Sequence, residues 1–422
     1  MKTALSALGL RTAPPSISWL MQTALARPKL ISLAAGFTDN ATLPVELSRR
    51  LLNEILRSPK TGRPALQYGT TAGADNLRQL TATHLQKLDG GHDHAHLPEH
   101  VIITGGSQQL LYMTLEALCD EGDLVLVEDP TYFVFLSILQ SRGIKARGVK
   151  LERDGLDLAH LEKVLERLKK SGELRRVKAL YLVTYFQNPT GVTTSLAKKS
   201  ATLKLLNKYE RAAGHPLYLL EDAAYRELRF DHGEDVPTAL TLPGARDRVI
   251  YAGTYSKPYS PGARVGFGIL PEPLFTTVQR IKGNHDFGTA NLLQQLLARA
   301  LATGLYDQHV AKVRKNYARK ARVMKLALAE HFPVGVEIWE SGGGLYFWAR
   351  LPKGISTGVK SKVFQAALKH DVLYVPGVLC YADDASRAKP DHEMRISFGS
   401  ASAENIREGI KRLGAVLRKY VK

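Results

Sequence analysis

A lysine surrounded by hydroxyl residues is the feature of this 422-residue sequence that most suggests chemistry. In "GTYSKPYSPGAR", residues 253–264, a proline follows Lys257, and Thr254, Ser256 and Arg264 lie close to it along the chain. Proline opposes a helical turn here, so the stretch predicts an anchored loop. Hydroxyl and guanidinium groups bind anions, and a held amine can bond covalently to a ligand. The stretch therefore predicts an anion site around one amine.

A second candidate anion site lies in "VIITGGSQQL". An apolar run ends at Thr104, Gly105 and Gly106 make a tight turn, and Ser107 opens a predicted helix. The first N–H groups of a helix have no partner within it and can bind a phosphate. A plain turn is an equally good interpretation of this motif taken alone.

Three more apolar runs end in polar residues. "LVLVEDPTYF" is stopped by a proline and followed by Tyr132, and "YLVTYFQNPTG" ends with Asn188 before a proline. "YLLEDAAYREL" ends with Glu221 and Asp222, and Tyr225 follows. Acids that close an apolar strand are costly to bury without a cationic partner. For Tyr132 alone, a core position would be the simpler interpretation.

The elements that must position these residues follow an α/β pattern. From about residue 100, short β-branched runs alternate with helical patterns, which predicts a large domain with a mostly parallel mixed sheet flanked by helices. Ligands of open α/β sheets bind beyond the carboxyl ends of the strands. The predicted strands are "VIIT", "LVLVEDP", "ALYLVTY", "LYLLED", "VIYAGTYS" and "RVGFGIL".

A smaller α+β domain is predicted after the large one. Long helical patterns follow residue 275, and "GVEIWESGGGLYFWARLP" and "VLYVPG" predict a β-hairpin and a further strand. We expect an N-terminal arm over residues 1–43 that contributes to the small domain, a large domain over 44–300 and a small domain over 301–422.

One ligand would account for all five strand ends: a phosphorylated, cationic aromatic ring that a lysine can hold covalently, which is pyridoxal 5′-phosphate (PLP). From residue 30 to 398 the chain resembles the class I/II aminotransferases of fold type I, nearest to the branch of 2-aminoadipate and broad-range aminotransferases. The motifs that carry the resemblance occur in family order: "LQYGTTAG", "GGSQQ", "EDPTY", "NPTG", "EDAAY", "TYSKPYSPGARVGF" and "MRISF".

The resemblance implies a role for each cofactor residue. Lys257 would bond to the cofactor aldehyde and move the substrate proton, and Asp222 would keep the ring nitrogen protonated, whereas Glu221 would be structural. Tyr132 would stack on the ring, and Asn188 and Tyr225 would bond to its phenolic oxygen. The residues implied to hold the phosphate are Gly106, Ser107, Gln108, Thr254, Ser256, Arg264 and, from the neighbouring subunit, Tyr68.

The resemblance also implies the substrate side of the site. Arg395 would bind the α-carboxylate through its planar fork, together with Asn188, and Gly36 would leave room beside it. Because Tyr68 would act across subunits, a homodimer with shared active sites is expected.

Two segments depart from the family pattern. Relatives usually have a proline soon after the early glycine, but here the sequence is "GFTDN", which leaves side-chain preference open at Phe37, Thr38 and Asp39. In "KGNHDFGTANLLQQ", His285 and Asp286 could add polarity to the partner's site, although a surface turn is the simpler interpretation. Trp19 and Tyr381 are further pocket candidates.

The bulk composition limits the location and partners. The net charge of +18 invites nucleic-acid binding, but the basic residues in "LEKVLERLKK" and "VRKNYARKARVMKLAL" alternate with apolar ones and predict solvated helix faces. The charge could instead favour small anions. Cys119 and Cys380 are too few for a disulfide framework, and no apolar run or leader suggests a membrane. We expect a cytoplasmic protein with no metal, membrane or nucleic-acid partner.

Three functions are compatible with these residues. The leading hypothesis is transfer of an amino group from an aromatic, aliphatic or 2-aminoadipate-like L-amino acid to 2-oxoglutarate by a ping-pong mechanism. β-Elimination or other α-carbon chemistry could use the same site, because the sequence does not reveal how the substrate bond is aligned. A third reading is a PLP-sensing regulatory module. The resemblance begins near residue 30, so we expect no preceding DNA-binding domain.

Overall fold

A computed structural model describes residues 3–91, 96–230, 235–385 and 387–421. Its strands are β1 (Ile31–Ser32), β2 (Val101–Thr104), β3 (Leu124–Asp129), β4 (Lys145–Glu152), β5 (Gly155–Leu156), β6 (Val177–Val183), β7 (Tyr218–Asp222), β8 (Val249–Thr254), β9 (Gly266–Ile269), β10 (Glu337–Trp339), β11 (Tyr346–Arg350), β12 (Val372–Leu373), β13 (Val375–Pro376) and β14 (Glu393–Ser397).

Its helices begin with α1 (Ala7–Arg11), α2 (Ser16–Leu25), α3 (Val45–Leu56), α4 (Pro59–Leu66), α5 (Asp75–Leu88), α6 (Ser107–Leu118) and α7 (Phe133–Arg142). They continue with α8 (Leu158–Lys170), α9 (Leu196–Ala213), α10 (Leu274–His285), α11 (Asn291–Ala302), α12 (Leu305–His331), α13 (Lys362–Lys369) and α14 (Ala403–Leu417). Within the described ranges, none of these helices is both long and apolar enough to cross a membrane.

The large sheet is an eight-stranded mixed sheet in the order β2-β9-β8-β7-β6-β3-β4-β5. The run from β4 through β3, β6 and β7 to β8 is parallel, and β9 is antiparallel to both of its neighbours. All six predicted strands are present, and the predicted fold class is confirmed. β4 and β5 were not predicted, because the alternation of buried and exposed residues in β4 is interrupted by charged and glycine positions.

This topology brings the polar strand ends together. Because β9 reverses direction between β8 and β2, the strands β2, β3, β6, β7 and β8 all run the same way. Their carboxyl ends therefore lie at one edge of the sheet, which is the edge where ligands of such sheets bind.

The second sheet has the order β10-β11-β14-β13 and contains the predicted hairpin, β10 paired antiparallel with β11. The N-terminal strand β1 pairs in parallel with β12, so residues 31 and 32 are tied to the C-terminal part of the chain. The domain boundaries at 43/44 and 300/301 stay a prediction.

The basic helices are solvated on one face, as predicted. In α8 the buried positions are Leu161, Leu165 and Leu168, while the lysines and arginines between them are mostly exposed. Lys320 in α12 is an exception, because it is buried and forms an ion pair with Asp39.

Candidate active site

A cavity of about 220 Å³ lies where the carboxyl edge of the large sheet faces β11 and β14. Most of the predicted site residues line it. Those lining residues are Gly36, Ser107, Gln108, Tyr132, Asn188, Asp222, Tyr225, Thr254, Ser256, Lys257, Arg264 and Arg395.

Lys257 lies in the loop after β8, as its proline neighbour predicts. Its Nζ donates to the carbonyl oxygen of Gly36 at 2.9 Å, and within the described residues no carboxylate pairs with it. Burial, together with the nearby charges of Arg395 and Arg264, lowers the pKa of Lys257 to about 8. An amine with such a pKa is partly unprotonated near neutral pH, so it is a competent nucleophile and base.

The two acids that end β7 have different environments. Glu221 is fully buried and is ion-paired with Lys199 at 2.8 Å. Asp222 accepts instead from two neutral donors, the Tyr181 hydroxyl at 2.8 Å and the Ala224 N–H at 3.0 Å. Burial raises the pKa of Asp222 to about 6 against the lowering effect of those bonds. Asp222 is therefore a buried acid that lacks a cationic partner within the described chain.

The predicted phosphate cradle is built from three turns. Gly106 has φ 93°, and a Cβ there would lie 2.6 Å from Nη2 of Arg264, so a side chain would collide with the guanidinium. Arg264 donates to the carbonyl of Gly105 at 3.1 Å and lies 3.5 Å from the Ser256 hydroxyl. The Thr254 hydroxyl accepts from the Ser256 N–H at 3.1 Å.

The start of α6 completes this cradle. Gly106 has no side chain with which to cap the helix, so the N–H groups of Ser107 and Gln108 remain available to an anion. A Cβ on Gly266 would lie 2.4 Å from the Ser107 nitrogen, so β9 packs directly beneath the helix start. A guanidinium, hydroxyls and free N–H groups thus converge on one point.

Arg395, on β14, lies on the opposite side of the cavity. Its guanidinium donates to Asn188 Oδ1 at 2.7 Å and to the carbonyl of Ala34, and its Nε has no partner within the described residues. The group lies 4.4 Å from the ring centroid of Tyr346 and 5.4 Å from that of Phe133. No carboxylate of the described residues pairs with this buried guanidinium, so the site is ready for an anionic ligand.

Three of the predicted residues lie at the rim of the cavity or outside its lining. Gly106 supports the cavity from behind, and Gln108 is exposed at its rim. Tyr68 lies outside the cavity with 82% of its surface exposed and packs edge-on against Phe287 at 5.4 Å. Its predicted action across subunits therefore stays a prediction.

The pocket candidates Trp19 and Tyr381 do not line this cavity. Trp19 packs near Phe364, at a ring separation of 6.0 Å, and the Tyr381 hydroxyl bonds to the buried Glu393. Both side chains find apolar or hydrogen-bonding partners inside the C-terminal part of the chain. The positions of these two residues in the sequence therefore did not predict whether they line the cavity.

His285 and Asp286 lie behind the phosphate cradle. Asp286 accepts from Lys282 at 2.6 Å and from Gln109 at 2.8 Å, and His285 lies 3.1 Å from the same Gln109 amide. Gln109 in turn accepts from the Gly105 N–H. The pair thus supports the turn between β2 and α6, and a contribution to a partner's site stays untested.

The "GFTDN" segment is fixed by α12. Asp39 accepts from Lys320 at 2.7 Å and from Asn316 at 2.8 Å, and its N–H donates to the Tyr317 hydroxyl. Burial would raise the pKa of Asp39, but the bonds from Lys320 and Asn316 outweigh it and hold the pKa below the ordinary value. Lys320 also donates to the carbonyl of Gly399 at 2.9 Å. Asp39 therefore anchors the segment and does not face the cavity.

Sequence reasoning missed several residues of the cavity. Leu111 and Val134 supply apolar wall beside Phe37, which the sequence had already singled out, and Tyr346 contacts both Arg395 and Tyr225. Tyr346 follows the glycines of the predicted hairpin, but nothing local indicates which face of that hairpin meets the sheet edge.

The charged groups that line the cavity fit PLP. Among the described lining residues, Lys257, Arg264 and Arg395 are cations and Asp222 is the one acid. A ligand with a phosphate, an aldehyde and a protonated ring nitrogen would satisfy Arg264, Lys257 and Asp222 respectively. Arg395 would remain for a second anion. A sheet-edge lysine with these neighbours defines a PLP-dependent enzyme.

Comparisons with known proteins also indicate a PLP-dependent enzyme. The family described as "Aminotransferase class I and II" matches residues 28–413. A 2-aminoadipate transaminase of Thermus thermophilus is 34% identical over 93% of this chain and 91% of its own length. An aromatic-amino-acid aminotransferase of Thermococcus litoralis is 33% identical over 93% of this chain and 89% of its own length.

The fold comparison extends this likeness to a structure with the cofactor. A Pyrococcus horikoshii kynurenine aminotransferase in complex with PMP has a TM-score of 0.89 and 31% identity, with 99% of this chain and 98% of that chain covered. The chain belongs to the class I and II aminotransferases, and it is a PLP-dependent transferase.

Proposed function

We propose that the protein moves an amino group from an L-amino acid with an aromatic, aliphatic or 2-aminoadipate-like side chain to 2-oxoglutarate by a ping-pong mechanism. The observation that carries the proposal is Arg395, buried opposite Lys257 with an unpartnered Nε and no carboxylate. A substrate carboxylate at Arg395 would place the α-carbon between the arginine and the lysine.

Arg395 and Asn188 orient the substrate. Asn188 Oδ1 holds Nη1 at 2.7 Å, while the rings of Tyr346 and Phe133 exclude water from the guanidinium. Desolvation strengthens the attraction between the arginine and a carboxylate, and the planar fork fixes the angle of approach. The same arginine serves the amino acid in the first half-reaction and the oxoacid in the second.

Asp222 and Lys257 carry the chemistry. When bound, PLP supplies an electron sink for negative charge at the substrate α-carbon. Asp222, buried beside neutral donors, would keep a proton on the ring nitrogen, and Tyr132 would cover the ring face. The Lys257 amine, with its lowered pKa, would take up the proton that leaves the substrate α-carbon and would return it during amino transfer.

The cavity wall favours apolar donors. Lys257, Arg264 and Arg395 are the cations among the described lining residues, and the proposed roles use all three. Phe37 stands at the mouth with half of its surface exposed. We infer that an apolar donor side chain packs on this wall, and that the distal carboxylate of 2-oxoglutarate points past Phe37 towards solvent.

A homodimer would complete the site. Tyr68 and Phe287 are highly exposed and touch each other, and Leu66 beside them is also exposed. A patch of this kind marks an interaction surface. Tyr68 would then reach the phosphate cradle of the partner subunit.

The reaction is tested by scanning the visible absorption of the holoenzyme during addition of single L-amino acids and then of 2-oxoglutarate. We expect leucine- or phenylalanine-like donors to bleach the visible absorption band of the lysine-bound cofactor, and 2-oxoglutarate to restore that band with release of glutamate. Ammonia without a new amino acid would contradict transamination and indicate elimination. Restoration by pyruvate but not by 2-oxoglutarate would contradict the proposed acceptor.

Subunit complementation tests the dimer. In a mixture of Lys257→Ala and Tyr68→Ala subunits, the hybrid has one site with a native lysine and a native tyrosine from across the interface. We expect subunit exchange to restore about a quarter of the native activity. If Tyr68 acts within its own subunit, mixing will restore none. A monomeric mass in solution would overturn the shared site directly.

A further inference from the structure

The hydroxyl of Tyr346 lies in an unusual position at the junction of the two sheets. Tyr346 opens β11 and is almost fully buried. Its Oη lies 2.9 Å from Oη of Tyr225, and the two rings meet edge to face at 5.6 Å. The proposed mechanism gives Tyr346 no task beyond shielding Arg395 from water.

Space around this hydroxyl is tightly limited. A Cβ on Gly36 would lie 2.5 Å from the Tyr346 oxygen, so a side chain at position 36 would displace it. Gly36 also accepts the hydrogen bond of Lys257. The hydroxyl is therefore fixed between the loop that meets Lys257 and the side chain of Tyr225.

The ring of Tyr346 has a second contact. The Arg395 guanidinium lies over it at 4.4 Å, closer than over Phe133 at 5.4 Å. A cation over an aromatic face is attracted to it, most strongly where water is excluded. One side chain therefore touches both the carboxylate-binding arginine and the tyrosine that faces the cofactor ring.

Counting protons gives the direction of the hydroxyl pair. Tyr225 has a single O–H, and in its proposed role that proton is donated to the phenolic oxygen of the cofactor. The short contact with Tyr346 is then a hydrogen bond only if Tyr346 is the donor. Among the described residues, the other ionisable groups near this pair include Lys257, 5.8 Å from the Tyr225 ring, Arg395, Tyr132 and Tyr317.

We propose that Tyr346 is a positioning residue that acts on both halves of the site. Its hydroxyl donates to Tyr225 and makes Tyr225 a stronger donor to the cofactor oxygen, because hydrogen bonds in a chain polarise one another. Its ring holds the Arg395 guanidinium for the substrate carboxylate. The inference rests on the proposed roles of Tyr225 and Arg395.

The hydroxyl is tested by pH titration of the visible band of the holoenzyme. A hydrogen-bond donor to the phenolic oxygen draws electron density from the cofactor chromophore, and it therefore lowers the pKa at which the visible band of the chromophore titrates. Tyr225→Phe should therefore raise that pKa by about one unit, which is a tenfold decrease in the acid constant. Tyr346→Phe should raise the same pKa by less, with about a twofold decrease in the acid constant. Tyr374→Phe removes another buried hydroxyl, bonded to the Thr357 carbonyl, and should leave the titration unchanged.

The ring is tested by the dissociation constant of 3-phenylpropionate, an unreactive carboxylate, measured from its effect on the same band. Tyr346→Phe keeps the ring and should leave the constant unchanged. Tyr346→Leu removes the ring and should weaken binding about tenfold, as loss of a desolvated cation–π contact predicts.

The outcomes separate the proposals. If Tyr225→Phe shifts the chromophore pKa and Tyr346→Phe does not, the role of Tyr225 stands and the Tyr346 hydroxyl is packing only. If neither variant shifts it, the proposed role of Tyr225 is wrong and this inference falls with it. If Tyr346→Leu is folded and binds 3-phenylpropionate as tightly as the native enzyme, the ring does not support Arg395.

Discussion

The two halves of the cavity are held together in different ways. The cofactor half, named for its proposed ligand, contains Lys257, Asp222 and the predicted phosphate cradle, and it lies at strand ends of one sheet. The substrate half, with Gly36, Phe37, Tyr346 and Arg395, comes from the N-terminal segment, β11 and β14, which are remote in the sequence. The cofactor half is therefore formed by one sheet, whereas the substrate half forms only when segments that are distant in the sequence pack together.

The electrostatic contrast is equally informative. In the cofactor half, Asp222 has no cationic partner among the described residues, whereas its neighbour Glu221 is ion-paired with Lys199. In the substrate half, Arg395 has no anionic partner among the described residues, whereas Asp39 is ion-paired with Lys320. In each half, one charged group is neutralised by the fold and another is left for a ligand. Comparing the charged groups within each half therefore separates those that pair within the protein from those that are left for a ligand.

The largest effect is expected in the cofactor half, from Lys257→Ala. Without the amine, the visible band should be lost and the rate of amino transfer should fall at least about 10⁴-fold, because the proton carrier is removed. Lys325→Ala, at an exposed ion pair, is the matched control and should behave as the native enzyme. Substantial turnover by Lys257→Ala would contradict the assignment of the lysine.

Asp222→Asn should lower kcat about 10²- to 10³-fold, since an amide holds the ring proton less well than a carboxylate does. Glu221→Gln is the sharpest comparison, because it changes the adjacent acid. That variant leaves Lys199 buried without a carboxylate, so we expect a loss of roughly 3 kcal/mol of unfolding free energy. Thermal unfolding and steady-state kinetics of the pair would show whether the two acids divide structure and chemistry in this way.

The raised pKa of Asp222 makes the stability of the apoprotein depend on pH. The ordinary value is 3.8 and the folded value is about 6, so between these values the folded state binds more protons than the unfolded state. The contribution of Asp222 to the unfolding free energy should therefore fall as pH rises from 4 to 6, by roughly 2 to 3 kcal/mol.

Denaturant titrations of the apoprotein and of Asp222→Asn at several pH values would measure this difference. Bound PLP should abolish the fall, because its protonated ring nitrogen stabilises the carboxylate. A constant difference between the two proteins across pH 4 to 6 would show that the folded pKa is not raised.

In the substrate half, Arg395→Lys should raise the KM for amino acids about 10- to 100-fold, because an ammonium cannot replace the planar fork. The visible band should be unchanged, since the proposed contact of Arg395 is with the substrate and not with the cofactor phosphate. Loss of the band in this variant would mean that the two halves are less independent than their construction indicates.

The smallest effect is expected from Asp39→Asn. The loop that carries Gly36 and Phe37 should loosen when the buried ion pair with Lys320 is lost, because Lys320 is then left without its carboxylate, and KM should rise a few-fold with kcat little changed. Hydrogen exchange of residues 34–42 would report the loosening. Glu408→Gln, which breaks an exposed ion pair with Arg412, provides a control for the loss of a surface charge pair.

The cofactor half could be predicted from the sequence because each of its residues stands at the end of an apolar run. Asn188, Asp222 and Lys257 are in local motifs, and parallel strands bring such ends together. Tyr346 and Asp39 could not be placed, because their partners Tyr225 and Lys320 are fixed by the packing of distant segments. Tyr181 was hidden by its position within an ordinary buried strand, where its hydroxyl reaches Asp222 on the neighbouring strand.

The bond between Arg395 and the Ala34 carbonyl spans 361 residues of sequence. During synthesis, the N-terminal segment emerges early and must wait until β14 has been made before its final contact can form. The large sheet, complete by residue 269, can fold in that interval. The order of translation therefore favours a cofactor platform that forms first and a substrate side that closes last.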